Sequence, residues 1–351
     1  MRTVASFISC ANFALNGHSW SLTTPRKFST PPKALLTIEQ TDDKKIPENE
    51  LTLPAKIFGS LWAALAFLTI LTYWQDPLFF NLASSFRFQL LIALNALSVL
   101  PFLLFPRSRR WVFLAVPAVI STTFLSYFIA PEANQNVQSP GLKVAVANVY
   151  SGNRDLSRLA SWLEQEPVQI LGVLEVAPHH LDALKKLGFA YLSAEPQNGN
   201  FGLALLFQEE PISVQTLDSD TQFPSILAEF QDYRVLLTHP MPPLSSEARE
   251  TGDEQIRRLA KLITKTEKPT VVMGDFNSTG WDARSYPLQE IGLRDARQGF
   301  GIVPTWPVGR SLMQIPIDHI LVPEAWGVST LARGPEIGSD HYPLRAELHP
   351  H

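Results

Sequence analysis

The chain has 351 residues, enough for two domains or for one domain with an appendage, and its formal net charge is −4. Residues 141–351 hold 18 Lys and Arg against 26 Asp and Glu, a net charge of −8. A region this acidic has no general attraction for duplex DNA, so the charge disfavours a nuclease, although a local basic groove would still permit one.

Residues 1–55 show little periodic pattern. Pro, Ser, Thr and Lys recur from residue 21 to residue 33, and residues 42–45 form a charge cluster. This composition predicts a disordered tail. A signal peptide with Cys10 as a lipidation site is the alternative, but its apolar core, residues 4–8, is too short. Cys10 is the sole cysteine, so the chain has no disulfide and no thiolate metal site.

Three runs without charge follow, at about residues 57–75, 88–106 and 111–131. As helices they would each extend roughly 28–32 Å, close to the ~30 Å hydrocarbon thickness of a bilayer. Trp74 and Trp111 lie near run ends, where aromatic residues favour the membrane interface. Three buried helices of a soluble domain are the alternative, but nothing N-terminal could cover them. The runs therefore predict three transmembrane helices.

The distribution of Lys and Arg predicts the orientation of these helices. Lys33, Lys44, Lys45 and Lys56 precede the first run, and three arginines lie between the second and the third. The link between the first and second runs carries only Arg87. Since positive loops stay in the cytoplasm, the tail and the second link are predicted to be cytoplasmic. We therefore expect a multi-pass protein of a bacterial cell (inner) membrane, with the rest of the chain in the periplasm or outside the cell.

After a polar linker at residues 132–141, residues 142–351 alternate between strand and helix patterns and predict an α/β domain. Strands are predicted at 142–149, 168–176, 270–273, 315–322 and 344–348, with 201–207 paired to 213–217 and 226–230 paired to 233–239. Helices are predicted at 155–165, 178–187, 246–266 and 283–291.

Single polar residues mark the ends of the first two of these strands. Asn148 ends the first strand, and Glu175 is the only charged residue of the second. A lone carboxylate in an apolar strand is costly unless it is paired or bound to a metal. Glu175 is therefore a candidate ligand for a hard cation. An acid that faces water just beyond the strand is the alternative.

A stronger pattern surrounds the apolar run Thr270–Met273, which is followed by Gly274, Asp275 and Asn277. Because side chains two positions apart point the same way in an extended chain, Asp275 and Asn277 are predicted to project together. An aspartate can orient or deprotonate a water, and an amide can donate hydrogen bonds to a phosphoryl oxygen. The alternative is a strand followed by an ordinary turn.

Later segments supply further polar candidates. His239 ends an apolar strand, where it would contact a phosphate or cap a loop, and Trp306 could form an apolar wall for a substrate. In Asp318-His319, strand alternation lets only one side chain face the site. Asp340 and His341 lie in a turn before the last strand. An acid and an imidazole are the partners that acid–base catalysis near neutral pH requires.

These residues, taken in order, resemble the motifs of the endonuclease/exonuclease/phosphatase superfamily, the group of deoxyribonuclease I, abasic-site endonucleases, neutral sphingomyelinases and inositol-phosphate 5-phosphatases. The resemblance covers about residues 142–348. It implies a four-layer α/β sandwich, in which two mixed β-sheets pack face to face between helices. The three preceding spans resemble the bacterial membrane-anchored branch of that superfamily.

The resemblance also implies a metal site. Asn148 and Glu175 match the positions that hold the divalent cation, Mg²⁺ or Mn²⁺, with Glu175 as the direct ligand. Asp340 would complete the metal side.

The remaining matches imply catalytic roles. Asp275 matches the residue that orients or deprotonates the attacking water, and Asn277 matches the amide that steadies the phosphate. His239 matches a histidine that contacts the phosphate. His341 would contact the scissile phosphate and would be oriented by Asp318.

The sequence thus predicts a membrane-anchored, Mg²⁺-dependent phosphohydrolase that acts outside the cytoplasm. Its expected partners are the lipid bilayer and a phosphate ester, with a phospholipid or polyprenyl (pyro)phosphate as the leading substrate class. An extracytoplasmic nuclease is the first alternative. A non-catalytic envelope module is the second, and the joint presence of Glu175, Asp275 and His341 counts against it. The oligomeric state is not predicted.

Overall fold

The computed structural model describes residues 51–74, 78–101, 105, 107–134, 137, 140–219 and 221–350, so most of the predicted tail lies outside the described residues. The α-helices are α1 (Leu53–Leu71), α2 (Leu78–Ser84), α3 (Arg87–Leu97), α4 (Arg107–Ser121), α5 (Leu125–Phe128), α6 (Ser157–Gln165), α7 (Leu181–Leu184), α8 (Ser246–Ile263) and α9 (Tyr286–Glu290). The strands are β1 (Leu142–Asn148), β2 (Ile170–Leu174), β3 (Tyr191–Glu195), β4 (Leu203–Phe207), β5 (Ser213–Leu217), β6 (Ser225–Glu229), β7 (Arg234–Thr238), β8 (Thr270–Asp275), β9 (Leu293–Asp295), β10 (Asp318–Pro323), β11 (Gly327–Arg333) and β12 (Leu344–His349).

The N-terminal helices only partly match the three predicted spans. Within the described residues, two helical stretches are long and apolar enough to cross a membrane: α1, with 19 residues, and Arg110–Asn134, with 25 residues. The second predicted span, 88–106, is not a helix of that length, because α3 has only 11 residues. At 1.5 Å per residue α3 extends ~16 Å, about half the hydrocarbon thickness. The number of crossings and their orientation remain predictions.

The predicted four-layer sandwich is confirmed. Two six-stranded sheets have the strand orders β11-β12-β1-β2-β4-β3 and β5-β6-β7-β8-β10-β9. Both are mixed, since β1 runs parallel to β2 and β7 runs parallel to β8, while the other pairs are antiparallel. Helix α6 packs on the outer face of the first sheet, and α8 packs on the outer face of the second.

Strand β1 shows why the central strands are continuous apolar runs. Val144 and Val146 point into the core between the two sheets, whereas Ala145 and Ala147 point outward into the cluster that α6 covers. A strand buried on both faces has no polar face, so its sequence loses the alternation typical of a half-exposed strand.

One predicted strand pairing was wrong. Residues 201–207 and 213–217 form strands, but β4 pairs with β2 and β3 in the first sheet, whereas β5 pairs with β6 in the second. The short connection between them therefore passes from one sheet to the other. The pairing of 226–230 with 233–239 is confirmed by the β6–β7 ladder. Strands β3, β9 and β11, which the sequence pattern did not reveal, all lie at sheet edges.

The predicted linker is partly fixed to the sandwich. Within residues 132–141, the Asn134 side-chain oxygen accepts hydrogen bonds from the Val328 amide at 2.9 Å and from Arg294 at 2.7 Å. This anchors the chain at the start of β11, shortly before β1 begins.

The end of the helical region docks on the loop that follows β8. Trp281 of that loop packs against Phe124 and Tyr127, with ring centroids 5.1 and 5.8 Å apart, and its Nε1 donates to the Ser84 carbonyl at 2.7 Å. Arg87 donates to the Trp281 carbonyl at 3.3 Å. The segment that follows Asp275 is thereby attached to the N-terminal helices.

Candidate active site

The predicted polar residues meet at one end of the sandwich because of strand direction. Strands β1 and β2 are parallel, so Asn148 and the residue after β2, Glu175, leave the same edge of the first sheet. In the second sheet, Asp275 ends β8 directly opposite Asp318, which begins the antiparallel strand β10. The two sheets thus bring two pairs of polar side chains together over the core.

Glu175 and Asn148 form a buried pair. Asn148 Nδ2 donates to Glu175 Oε1 at 2.9 Å and lies 3.3 Å from Asp275 Oδ2, so this amide bridges the two sheets. Glu175 Oε2 accepts from the Ser151 amide at 3.1 Å. Burial raises the pKa of Glu175, an effect that the hydrogen bonds from Asn148 and Ser151 oppose.

Asp275 lies at the centre of the site and is almost completely buried. Its Oδ2 is 3.6 Å from the Nε2 atoms of both His239 and His341. Burial and the nearby Asp318 carboxylate raise the pKa of Asp275 to about 7, while His341 opposes the shift. A carboxyl group with such a pKa can accept a proton from water near neutral pH.

His341 is held by Asp318 and points its other nitrogen at Asp275. The distance from His341 Nδ1 to Asp318 Oδ2 is 2.9 Å. Burial disfavours the charged imidazole, but the carboxylates of Asp318 and Asp275 outweigh this effect and raise the pKa of His341 to about 10. His341 is therefore a cation that can donate a hydrogen bond into the site.

His239 has the opposite electrostatic character. It is buried, its ring lies 5.2 Å from the ring of Phe201, and burial together with His341 lowers its pKa to about 4. The two histidines on either side of Asp275 thus have different charges at neutral pH. One is a cation and the other is neutral.

Asn277 lies at the site, but its backbone conformation differs from the extended strand that was predicted. The strand ends at Asp275, and Asn277 has a φ of +50°, in the left-handed region that asparagine tolerates better than most residues. Asp275 Oδ1 accepts from the Asn277 amide at 2.8 Å, which is the local hydrogen bond of an Asx turn. Strand alternation is therefore not the reason that Asn277 lies at the site, because the strand ends at Asp275 and a turn places Asn277 at the cleft. Its Nδ2 donates to the Pro240 carbonyl at 3.1 Å.

Trp306 and Asp340 form the opposite rim of the site. Trp306 Nε1 donates to Asp340 Oδ2 at 3.0 Å, and the Trp306 ring lies 6.3 Å from the His341 ring. The ring of Trp306 thus flanks the His341 imidazole, and its role as an apolar wall for a substrate stays a prediction. Asp340 is exposed, in contrast to Glu175.

An open cleft of about 650 Å³ adjoins these residues and is lined by Glu175, His239, Pro242, Asn277, Gln222 and the segment 197–201. The sequence interpretation had missed this segment, Gln-Asn-Gly-Asn-Phe. Asn200 Oδ1 accepts from Ser151 Oγ at 2.6 Å, which links the segment to the loop after β1. The sequence feature that could have revealed this segment is its position as a polar run between two strands, because such loops often carry functional residues.

His319 confirms that strand alternation allows only one residue of Asp318-His319 to face the site. Its ring points away from Asp275, with Nδ1 2.9 Å from Asp295 Oδ2 and Nε2 2.9 Å from the Ser278 carbonyl. Arg297 pairs with Asp295 at 3.3 Å. This buried cluster holds the chain just after Asn277 in place.

Two groups of side chains in the site are candidates to bind a metal ion. Asp275, Asp318 and His341 offer atoms within 4.8 Å of one another, but Asp318 and His341 already bond each other. Glu175 is a buried carboxylate whose hydrogen-bond donors are neutral, so a hard cation would offset the cost of burying its charge. The residues around Glu175 therefore fit a divalent cation.

Comparison with known proteins agrees with this geometry. A family model described as Endonuclease/Exonuclease/phosphatase family matches residues 145–341. A solved 3' phosphatase from Neisseria, bound to product DNA hairpin, is 22% identical with a TM-score of 0.51 and covers 60% of this chain and 100% of its own. A mannosyl-6-phosphatase from Bacteroides thetaiotaomicron is 16% identical with a TM-score of 0.50, and the match covers 59% of this chain and 99% of that chain. An AP endonuclease from Archaeoglobus fulgidus is 19% identical with a TM-score of 0.50, and the match covers 58% of this chain and 98% of that chain. Comparison with curated proteins gave no match.

Proposed function

This chain belongs to the endonuclease/exonuclease/phosphatase family of metal-dependent phosphate-ester hydrolases, and on that premise we propose that it is a membrane-anchored hydrolase of lipid-linked phosphate esters. The active site is proposed to lie outside the cytoplasm, and the proposed metal is Mg²⁺.

Asp275 prepares the nucleophile. With a pKa of about 7, its carboxylate is basic enough to take a proton from a water in the cleft. Asp275 Oδ2 lies near His239, His341 and Asn148, and Oδ1 accepts from the Asn277 amide. The attacking water would have to approach the carboxylate among these groups.

The phosphoryl group is bound by donors on both sides of Asp275. The cationic His341 and the neutral His239 can each donate through an imidazole N–H toward phosphoryl oxygens. Asn277 uses one N–H on Pro240 and retains a second, because an amide nitrogen carries two. Such donors, positioned before the substrate arrives, stabilise charge that develops during transfer.

Glu175 would hold the divalent cation, with Asn148 and Asp340 as its neighbours. When bound, the cation supplies Lewis-acid neutralisation of a phosphoryl oxygen. Asn148 now directs its nitrogen toward Glu175 and its oxygen toward the Tyr150 amide, so its amide would need to rotate to act as a ligand.

One observation carries the proposal of a lipid-linked substrate. Trp281, which docks on the N-terminal helices, lies only four residues after Asn277. Four residues span at most ~15 Å between Cα atoms, so the catalytic cleft lies close to the proposed membrane anchor. Anchoring at this distance raises the effective concentration of a substrate held in the same bilayer. The net charge of −8 over residues 141–351 disfavours the nuclease alternative.

The test is hydrolysis by the full-length chain in lipid nanodiscs with Mg²⁺, measured as released phosphate for the pyrophosphate and by chromatography of the cleavage products for the phospholipid and the DNA. A polyprenyl pyrophosphate, a phospholipid and single-stranded DNA would be compared, with Asp275→Asn as the blank. We expect the wild type to turn over a lipid substrate and Asp275→Asn to show no turnover. Cleavage of DNA alone would assign the protein to the nucleases and refute the proposed substrate class.

A further inference from the structure

An exposed apolar loop tip extends from the active-site rim. Residues 309–313, which we call the 309–313 tip, are all exposed. Leu312 is 88% exposed and Met313 is 50% exposed, and the cationic Arg310 precedes them. A leucine this exposed, next to a second apolar side chain, is common where a protein meets lipid or another apolar surface.

The 309–313 tip lies against the end of the N-terminal helices. The carbonyl of Gln314 accepts a hydrogen bond at 2.8 Å from Nε2 of Gln89, in the first turn of α3. Leu312 is two residues from Gln314, so their Cα atoms are at most ~8 Å apart. The tip is thus attached directly to a helix end.

That helix end carries the features of a membrane interface. Arg87 begins α3 and donates through Nε to Thr72 Oγ1 at 3.0 Å, which aligns the start of α3 with the end of α1. Tyr73 and Trp74 follow α1, and Trp74 is 71% exposed. Exposed aromatic residues at the end of an apolar helix favour the headgroup level of a bilayer.

The base of the same loop forms part of the active site. Trp306 bonds Asp340 and flanks His341, and the Gln314 side chain donates to the Pro307 carbonyl at 3.1 Å, which closes the loop at its base. One loop therefore connects the interfacial level to the catalytic imidazole.

We propose that the 309–313 tip inserts into the outer leaflet of the bilayer, with Leu312 and Met313 at the headgroup–acyl boundary and Arg310 beside lipid phosphates. Its base would then receive a phosphate ester directly from the lipid surface. The inference rests on the proposed membrane function and extends it by naming the surface that meets the lipid. Burial of apolar side chains next to a cation is the usual basis of interfacial binding.

The first test measures lipid contact without using activity. The full-length chain with Cys10→Ser and Leu312→Cys would carry an NBD fluorophore in nanodiscs of phosphatidylcholine and phosphatidylglycerol with doxyl-labelled lipid. Ile212→Cys is the matched control, because Ile212 is 62% exposed and lies beside β5 at the opposite edge of the second sheet from β9.

We expect blue-shifted emission and quenching by doxyl lipid at position 312, and neither effect at position 212. Equal lack of quenching at both positions would overturn the proposal. A blue shift at position 312 without quenching by doxyl lipid would indicate that the tip contacts a second copy of this chain and not lipid. That result would also overturn the proposal.

The second test links the tip to the chemistry. Leu312→Asp should lower kcat/KM about tenfold for a lipid phosphate ester in the nanodisc, because one buried leucine is lost from the interface. Turnover of the soluble ester bis(p-nitrophenyl) phosphate should not change. If the wild type hydrolysed neither ester, the proposed function would fail, whereas the quenching result would still report on the tip.

Discussion

Asp275 and Asp318 lie directly opposite each other on β8 and β10, and the imidazole of His341 lies between their carboxylates. His341 Nδ1 is 2.9 Å from Asp318 Oδ2, and its Nε2 is 3.6 Å from Asp275 Oδ2. The two carboxylates therefore have different proposed roles. Asp318 fixes the imidazole and raises its pKa, and in the proposed mechanism Asp275, with its own raised pKa, acts on the nucleophile.

Replacing Asp275 by Asn should remove the base and leave the fold intact. We expect turnover to fall by about 10²–10⁴-fold, the usual contribution of a positioned general base. Phosphate release with Mg²⁺ would measure the loss, and the melting temperature would monitor folding. Asp232→Asn, at an exposed carboxylate, is the matched control. Full activity in Asp275→Asn would show that another group prepares the nucleophile.

The pH–rate profile should be bell-shaped. The proposed mechanism requires deprotonated Asp275, with a pKa of about 7, and protonated His341, with a pKa of about 10. Because the Asp318 charge raises both pKa values, Asp318→Asn should move both limbs of the kcat/KM profile to lower pH. Limbs that stayed in place in this variant would contradict the electrostatic coupling.

Replacing Glu175 by Gln should weaken the dependence on the divalent cation. The substitution retains shape but removes the charge that binds the cation, so the Mg²⁺ concentration for half-maximal activity should rise by roughly tenfold or more. Mg²⁺ titration of activity and calorimetric Mg²⁺ binding would measure the change. Glu164→Gln, at an exposed position, provides the control. An unchanged Mg²⁺ requirement would place the cation elsewhere.

The buried Asp295 should stabilise the fold in a pH-dependent manner. Burial opposes its charge, but Arg297 and His319 outweigh this effect and hold the pKa of Asp295 at about 2, against an ordinary 3.8. A depressed pKa stabilises the folded state above the ordinary value, and here the contribution is roughly 2 kcal/mol, lost as the pH falls toward 2. Asp295→Asn should therefore melt at a lower temperature than the wild type at pH 7, and the difference should narrow on acidification. Scanning fluorimetry in detergent would measure it, and a pH-independent difference would exclude this mechanism.

Trp281→Ala should loosen the helices from the catalytic domain. Its ring packs on Phe124 and Tyr127, and truncating a buried tryptophan usually costs about 3–5 kcal/mol. Hydrogen exchange of residues 78–90 should accelerate, while turnover of a soluble ester should persist. Trp111→Ala, at an exposed tryptophan, is the control. Unchanged exchange would show that the docking does not depend on Trp281.

The sequence by itself determined the elements that rest on local periodicity and composition. Apolar runs such as Thr270–Met273 became buried strands, and the polar residues at their ends, Asn148, Glu175 and Asp275, became the candidate site. The physical reason is that burial excludes polar side chains from strand interiors, so those that occur at strand ends are noticeable in the sequence.

Tertiary structure alone decided how these elements meet. The assignment of β4 and β5 to different sheets, the Asx turn at Asn277 and the docking of Trp281 on the N-terminal helices depend on contacts between distant segments. Periodicity shows which face of a strand is buried but contains no information about its neighbour. The distances from Asp275 to His239 and His341, and with them the contrasting charges of the two imidazoles, arise only when both sheets have packed.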